Sequence, residues 1–156
     1  KMAMENIYTP TALILSRQDV TSVPNTSAEG VKKGAYIVSK DENPQVVMLA
    51  SGSEVSTLMA GAELLRAEGV RLQIVSVPSE AIFRQQSKEY QAEVLPQGVT
   101  RFGLTAGLPC NLEGLVGEHG TVWGLNSFGF SAPYKVLDEK LGFTAQNVYD
   151  QVKKLL

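Results

Sequence analysis

Arg17 and Gln18 close the apolar run Thr11-Ala-Leu-Ile-Leu-Ser16, and an arginine fixed at the end of a strand can offer its planar guanidinium to a phosphate or carboxylate in bidentate fashion. Without such a ligand the same side chain makes a surface or interface salt bridge. The turn Ala50-Ser-Gly-Ser-Glu54 joins a strand end to a helix start, where free backbone N–H groups favour anions. Glu54 in that first turn would repel an anion while stabilising the helix, so the turn reads as structural. The string Gly124-Leu-Asn-Ser-Phe-Gly-Phe-Ser131 has the spacing of a phosphate-binding loop, but Phe130 stands where that loop needs lysine, so nucleotide hydrolysis is not expected. No G-x-G-x-x-G follows a strand, which leaves a dinucleotide cofactor without support.

Scarcity narrows the chemistry further. One histidine, His119, and one cysteine, Cys110, cannot build a Cys/His zinc site or an internal disulfide. His119 lies in the turn-like stretch Gly117-Glu-His-Gly120 and reads as a solvated turn residue, not a catalytic base. Cys110 reads as a small, partly buried side chain. Fourteen Lys and Arg against sixteen Asp and Glu give a net charge of −2, which argues against nucleic acid or an anionic membrane as partner. Low cysteine use fits a reducing compartment, and a cytoplasmic location is expected. No apolar run approaches the roughly 20 residues of a membrane-spanning helix. Lys1 is not a natural start, so the sequence is expected to be a piece of a longer chain.

These residues need a scaffold, and 156 residues suffice for one domain. The pattern predicts strands over 11–16, 35–39, 45–50, 72–77, 100–105 and 121–124, with 19–34 as a long loop. A helix over about 54–68 carries Val55, Leu58, Met59, Ala62 and Leu65 on one face; Ser51 and Glu54 suggest a capping box and Gly69 a stop. Short helical pieces are expected over 79–84, 87–94 and 111–117. Ser131 opens a further helix with Pro133 in its first turn and Gly142 as its stop, and Thr144 begins the last. Strand, helix and strand over 45–77 form a βαβ unit. The fold expected is a three-layer α/β/α domain with a mostly parallel sheet of about five strands.

The run Pro10 to Gln18 resembles the start of the C-terminal domain of the transketolase family. Four further blocks follow in the family's order: Gly34-Ala-Tyr-Ile-Val38; Ala50 to Val55; Val75-Ser-Val-Pro-Ser79 with Phe83 and Tyr90 to Pro96; and Ser127-Phe-Gly129 with Ser131-Ala-Pro133 and Leu141-Gly-Phe-Thr144. Each block is weak alone, but five in order are specific. The resemblance covers nearly the whole chain from residue 10, leaving 1–9 as a remnant of a preceding domain or a linker and 10–156 as the domain.

The resemblance implies an enzyme that uses thiamine diphosphate and a divalent cation, Mg or Ca, to move a two-carbon ketol unit from a ketose phosphate to an aldose phosphate. Cofactor, metal and most catalytic histidines would belong to the preceding domains of the same polypeptide, and the complete enzyme would be a homodimer of the pentose phosphate pathway. This piece alone would be inactive, with no catalytic, cofactor or metal residue of its own. Arg17 occupies the place of the family's substrate-phosphate arginine. Asp19, where relatives often carry Asn, adds negative charge beside it; Thr105 replaces a common glutamate, and Asn111 to Glu113 lack the usual aromatic residues. Dihydroxyacetone synthase, deoxyxylulose-phosphate synthase and the pyruvate dehydrogenase β chain have related domains, but the L-S-R-Q and F-G-x-S-A-P strings favour transketolase. A stand-alone, non-catalytic interaction module is the other reading.

Overall fold

Short runs of aliphatic side chains bounded by glycine, proline and charged residues become strands, and the computed structural model, which describes residues 1–156, has five of them. They are β1 (Tyr36–Lys40), β2 (Val46–Ala50), β3 (Leu72–Ser76), β4 (Thr100–Leu104) and β5 (Thr121–Trp123), in the sheet order β1-β3-β2-β4-β5. β3, β4 and β5 continue a parallel sheet from β2, whereas β1 joins the β3 edge antiparallel with an irregularity between Ile37 and Ser39. A mostly parallel α/β sheet is what the sequence pattern predicts.

The helices are α1 (Met2–Glu5), α2 (Ala28–Lys32), α3 (Glu54–Ala67), α4 (Glu80–Arg84), α5 (Lys88–Val94), α6 (Cys110–Val116), α7 (Tyr134–Leu141) and α8 (Ala145–Lys153). β2 is fully buried on both faces, as a central parallel strand must be when helices cover both sides. Val46, Met48 and Ala50 face a core shared with Leu58, Ala62 and Leu65 of α3 and with Val148 and Val152 of α8. Val47 and Leu49 face the opposite core, closed by Phe83, Val94 and Leu112 from α4, α5 and α6. Two cores on one sheet make the three layers. Each large aliphatic side chain so buried contributes about 1.5–3 kcal/mol.

Three local features hold these layers in register. Gly61 lets α8 lie against α3, because a Cβ there would come 2.5 Å from Val148 Cγ1. Arg101 on β4 donates to the carbonyls of Leu115 at 2.8 Å, Leu95 at 3.0 Å and Pro96 at 3.1 Å, so one guanidinium ties β4 to the ends of α5 and α6. At the opposite edge Arg66 Nε sits 3.0 Å from Asp41, which also accepts from the Leu72 N–H at 2.9 Å. The end of α3 is thereby fastened to the β1 and β3 termini.

The structure corrects several expectations. Residues 11–16 form no strand but run exposed and unpaired, with Ile14 at 95% exposure. A strand needs a partner for its backbone groups, and none of the five strands accepts this one. The loop 19–34 contains α2, capped where the Ser27 hydroxyl accepts from the Gly30 N–H at 2.9 Å. The Ser51–Glu54 capping box does not form. The helix starts after Ser53, so Glu54 is its first residue and not its third, and a reciprocal box requires the third. Ser131 does not open α7; Pro133 is its extended flanking residue and disfavours helix at Ala132, so helical backbone begins at Tyr134. Cys110 is exposed at the first position of α6, not partly buried.

Candidate functional site

Neighbouring parallel strands that send their following helices to opposite faces leave a crevice between their carboxyl ends, where ligands of open α/β sheets bind. In this chain that place lies between β2 and β4. β2 leads into α3 on one face, and β4 leads into α6 on the other. A cleft of about 720 Å³ opens there, walled by Ser51 to Glu54 after β2, Pro78 after β3 and Thr105 to Gly107 after β4.

Loops after the strands are locked together by backbone bonds. The Thr105 N–H donates to Trp123 O at 3.0 Å and the Leu125 N–H to Gly107 O at 2.9 Å, so the chain leaving β5 is held against the chain leaving β4. Trp123 Nε1 donates to Leu141 O at 3.0 Å, which fixes the end of α7 beside the cleft. Leu137, Asp138 and Leu141 of α7 line its far wall.

Two carboxylates give the cleft its electrostatic character. Burial pushes the Glu54 carboxyl above the usual range; hydrogen bonds from the Ser53 hydroxyl, its own N–H and the Ala106 N–H oppose this, and the nearby Asp138 charge adds to it. The Ser53 contact is 2.7 Å. Burial also raises Asp138. No lysine or arginine is among the lining residues, so the interior offers no cationic side chain to a phosphate.

Arg17 is exposed at a bend and makes no hydrogen bond or ion pair within the chain, while its neighbours Ser16 and Gln18 line the cleft. A Cβ added to Gly52 would lie 3.4 Å from the Ser16 hydroxyl, which places this segment over the β2–α3 turn. The arginine is thus next to the cleft without pointing a partner into it, and the rigid strand expected beneath it is missing from this fold. His119 lies exposed in a turn and is not among the cleft-lining residues. Cys110, at the start of α6, is not among the lining residues either. Glu54 and Asp138 are the polar groups that the residue pattern did not single out as a pair. They are 84 positions apart (138 − 54), and only the packing of α7 brings them to one cleft.

An open α/β sheet with a cleft at its strand-order reversal, covered by helices on both faces, defines a class of ligand-proximal domains without specifying the chemistry. The family does specify more. Residues 34–144 match the model of the transketolase-like TK C-terminal domain, and the chain belongs to that family. It is 41% identical to a transketolase of Geobacillus stearothermophilus over 162 aligned positions, spanning all of this chain and 24% of that protein. It superposes on the transketolase from Leishmania mexicana with a TM-score of 0.92 and 38% identity, over 99% of this chain and 22% of the other. A transketolase structure from Pichia stipitis in complex with sedoheptulose-7-phosphate gives a TM-score of 0.83 at 27% identity, over 89% of this chain and 20% of the other. The chain thus spans about a quarter of the length of the relatives it matches.

Proposed function

We propose that these residues serve, within a complete transketolase, to support the enzyme's architecture and to offer Arg17 to the terminal phosphate of its sugar substrates. The observation that carries this reading is the match to transketolase over the whole chain at 41% identity. The complete enzyme would transfer a two-carbon ketol unit from a ketose phosphate to an aldose phosphate, as a homodimer in the cytoplasm, within the pentose phosphate pathway. No helix of the chain is long and apolar enough to cross a membrane.

Thiamine diphosphate, with Mg or Ca, would supply the electron sink for breaking the carbon–carbon bond. The residues present do not fit that group. The cleft offers two carboxylates and no cation to a diphosphate, and no three His, Cys, Asp or Glu side chains gather where they could hold a metal. No step through the cofactor is assigned to this chain. What its residues can do is bind and orient. The exposed, unpaired guanidinium of Arg17 is free to meet a dianionic phosphate, whereas the cleft behind it presents two carboxyl groups and no cationic side chain. The domain on this reading runs over 10–156, with 1–9 as a remnant of the preceding domain or a linker, and the family match covers 34–144 of it.

The test is Arg17→Ala in the complete enzyme. Losing a charge-assisted phosphate contact costs about 1.5–3 kcal/mol, so KM for phosphorylated sugars should rise roughly 10- to 150-fold while unphosphorylated substrates change little. Equal effects on both substrate types would remove Arg17 from the phosphate site.

A further inference from the structure

A second hollow lies at the β1 edge of the sheet and shares no residue with the cleft between β2 and β4. Its volume is about 310 Å³, at the small end of the roughly 300–1,000 Å³ typical of small-molecule sites. The segment before β1 forms one side and α5 another, and Tyr36, Ile37 and Val94 supply apolar surface.

These walls are fastened to one another. Asn25, in the left-handed conformation at φ 62°, donates its side-chain amide to Val38 O at 3.0 Å, which straps the loop before α2 to β1. Gly30 lets α2 lie directly on the Tyr36 ring, because a Cβ there would come 2.5 Å from Tyr36 Cγ. From the other side the Tyr90 hydroxyl donates to Ala35 O at 2.9 Å, and its ring meets Phe83 edge-on with centroids 6.3 Å apart.

Opposite charges line this hollow without meeting. Lys33 holds its ammonium 4.2 Å from the centre of the Tyr90 ring and has no carboxylate within ion-pair distance. Glu93 has neither a cation partner nor a side-chain hydrogen bond. Burial pushes the Tyr90 hydroxyl up and the Glu93 charge adds to it, which marks that carboxylate as a neighbour of the hydroxyl. Glu29, the other acid here, is taken up by Lys32 at 2.6 Å. The Ser27 hydroxyl accepts from the Gly30 N–H at 2.9 Å and keeps its own proton free, while the Tyr90 oxygen keeps a lone pair free to accept.

An unpaired ammonium and an unpaired carboxylate in one small hollow are complementary to a molecule that carries both charges itself. A phosphate would set its negative charge against Glu93, and a simple amine would set its positive charge against Lys33. We propose that this hollow binds a free aliphatic α-amino acid, with its carboxylate on Lys33 and Ser27, its ammonium on Glu93 and the Tyr90 oxygen, and its side chain against Tyr36, Ile37 and Val94.

Calorimetric titration of the complete enzyme with L-leucine tests this. Leucine should bind with a Kd below about 1 mM, and no binding up to about 10 mM overturns the proposal. Isoamylamine, which lacks the carboxylate, and isocaproate, which lacks the ammonium, should each bind at least about tenfold more weakly, as loss of a charge-assisted contact requires. Lys33→Met and Glu93→Gln, both at exposed positions, should keep the wild-type Tm and weaken leucine by at least about tenfold. A smaller ratio for either analogue or either variant overturns the assignment. Ketol transfer measured without leucine should be equal in both variants and wild type. An enzyme that binds leucine in this way but transfers no ketol unit rejects the transketolase reading and leaves the amino-acid site standing.

Discussion

β2 and the run Thr11–Ser16 are close to the same sequence feature in two fates. Val46-Val-Met-Leu-Ala50 is buried completely, with every residue at 0% exposure, while Ile14 in Ala12-Leu-Ile-Leu15 stands 95% exposed. Both are short aliphatic runs that pair best when covered on two faces. What separates them is the supply of partners. β2 has β3 on one side, β4 on the other and helices above and below, and the earlier run has none of these within the chain. An apolar run therefore states a need for a sheet without naming which sheet.

The sharpest way to break this contrast is to truncate one side chain in each region of this chain. Leu58→Ala, which opens a cavity between α3 and the sheet at a fully buried site, should cost about 2–5 kcal/mol, and Ile14→Ala should stay within about 0.5 kcal/mol of wild type in urea unfolding. A comparable loss from Ile14→Ala would mean that the run packs on this domain after all.

A second, smaller effect should come from Arg101→Ala, which leaves the carbonyls of Leu95, Pro96 and Leu115 without their donor. About 1.5–3 kcal/mol is expected, measured as a fall in Tm. The equivalent change at Arg17, which has no partner in the chain, should leave the same Tm unmoved. This pair distinguishes an arginine that builds the fold from one reserved for a ligand.

The smallest effect concerns pH. Desolvation pushes the Asp41 carboxyl up, but the hydrogen bonds from Arg66 and the Leu72 N–H, with the Arg66 charge, outweigh it and hold the group below its ordinary value. A depressed folded-state value means that the stabilisation is complete above the unfolded value of about 3.9 and is lost as pH falls through the folded one. Because the pair is partly solvated, Asp41→Asn should cost only about 1 kcal/mol at pH 7. The difference from wild type should shrink towards zero near pH 2, followed by urea unfolding at both values. A pH-independent difference would assign the effect to packing and not to charge.

Much of the fold was legible because its signals are local. The helix over 54–67 announced itself through Val55, Leu58, Ala62 and Leu65, and α8 through Thr144, whose hydroxyl accepts from the Asn147 N–H at 3.2 Å. Gly142, in the left-handed conformation, ends α7 where the sequence said it would. The failures are equally local in cause. Ser51 and Glu54 have the right spacing for a capping box, but spacing cannot say which residue the helix starts after. Cys110 looked semi-buried from its neighbours, yet exposure depends on which way α6 turns. The acidic cleft was not legible at all, since Glu54 and Asp138 meet only through the packing of α7.

By itself the sequence determined the alternation of strands and helices, the two-faced burial of the central strands and the family to which the chain belongs, because hydrophobic period, caps and stops act within a few residues. Only the tertiary structure decided that β1 turns antiparallel, that the cleft lies between β2 and β4, and that Thr11–Ser16 finds no place in this sheet. Those outcomes depend on which distant backbones meet. Strand pairing is a choice among partners, and a run of side chains carries the demand for a partner but not its address.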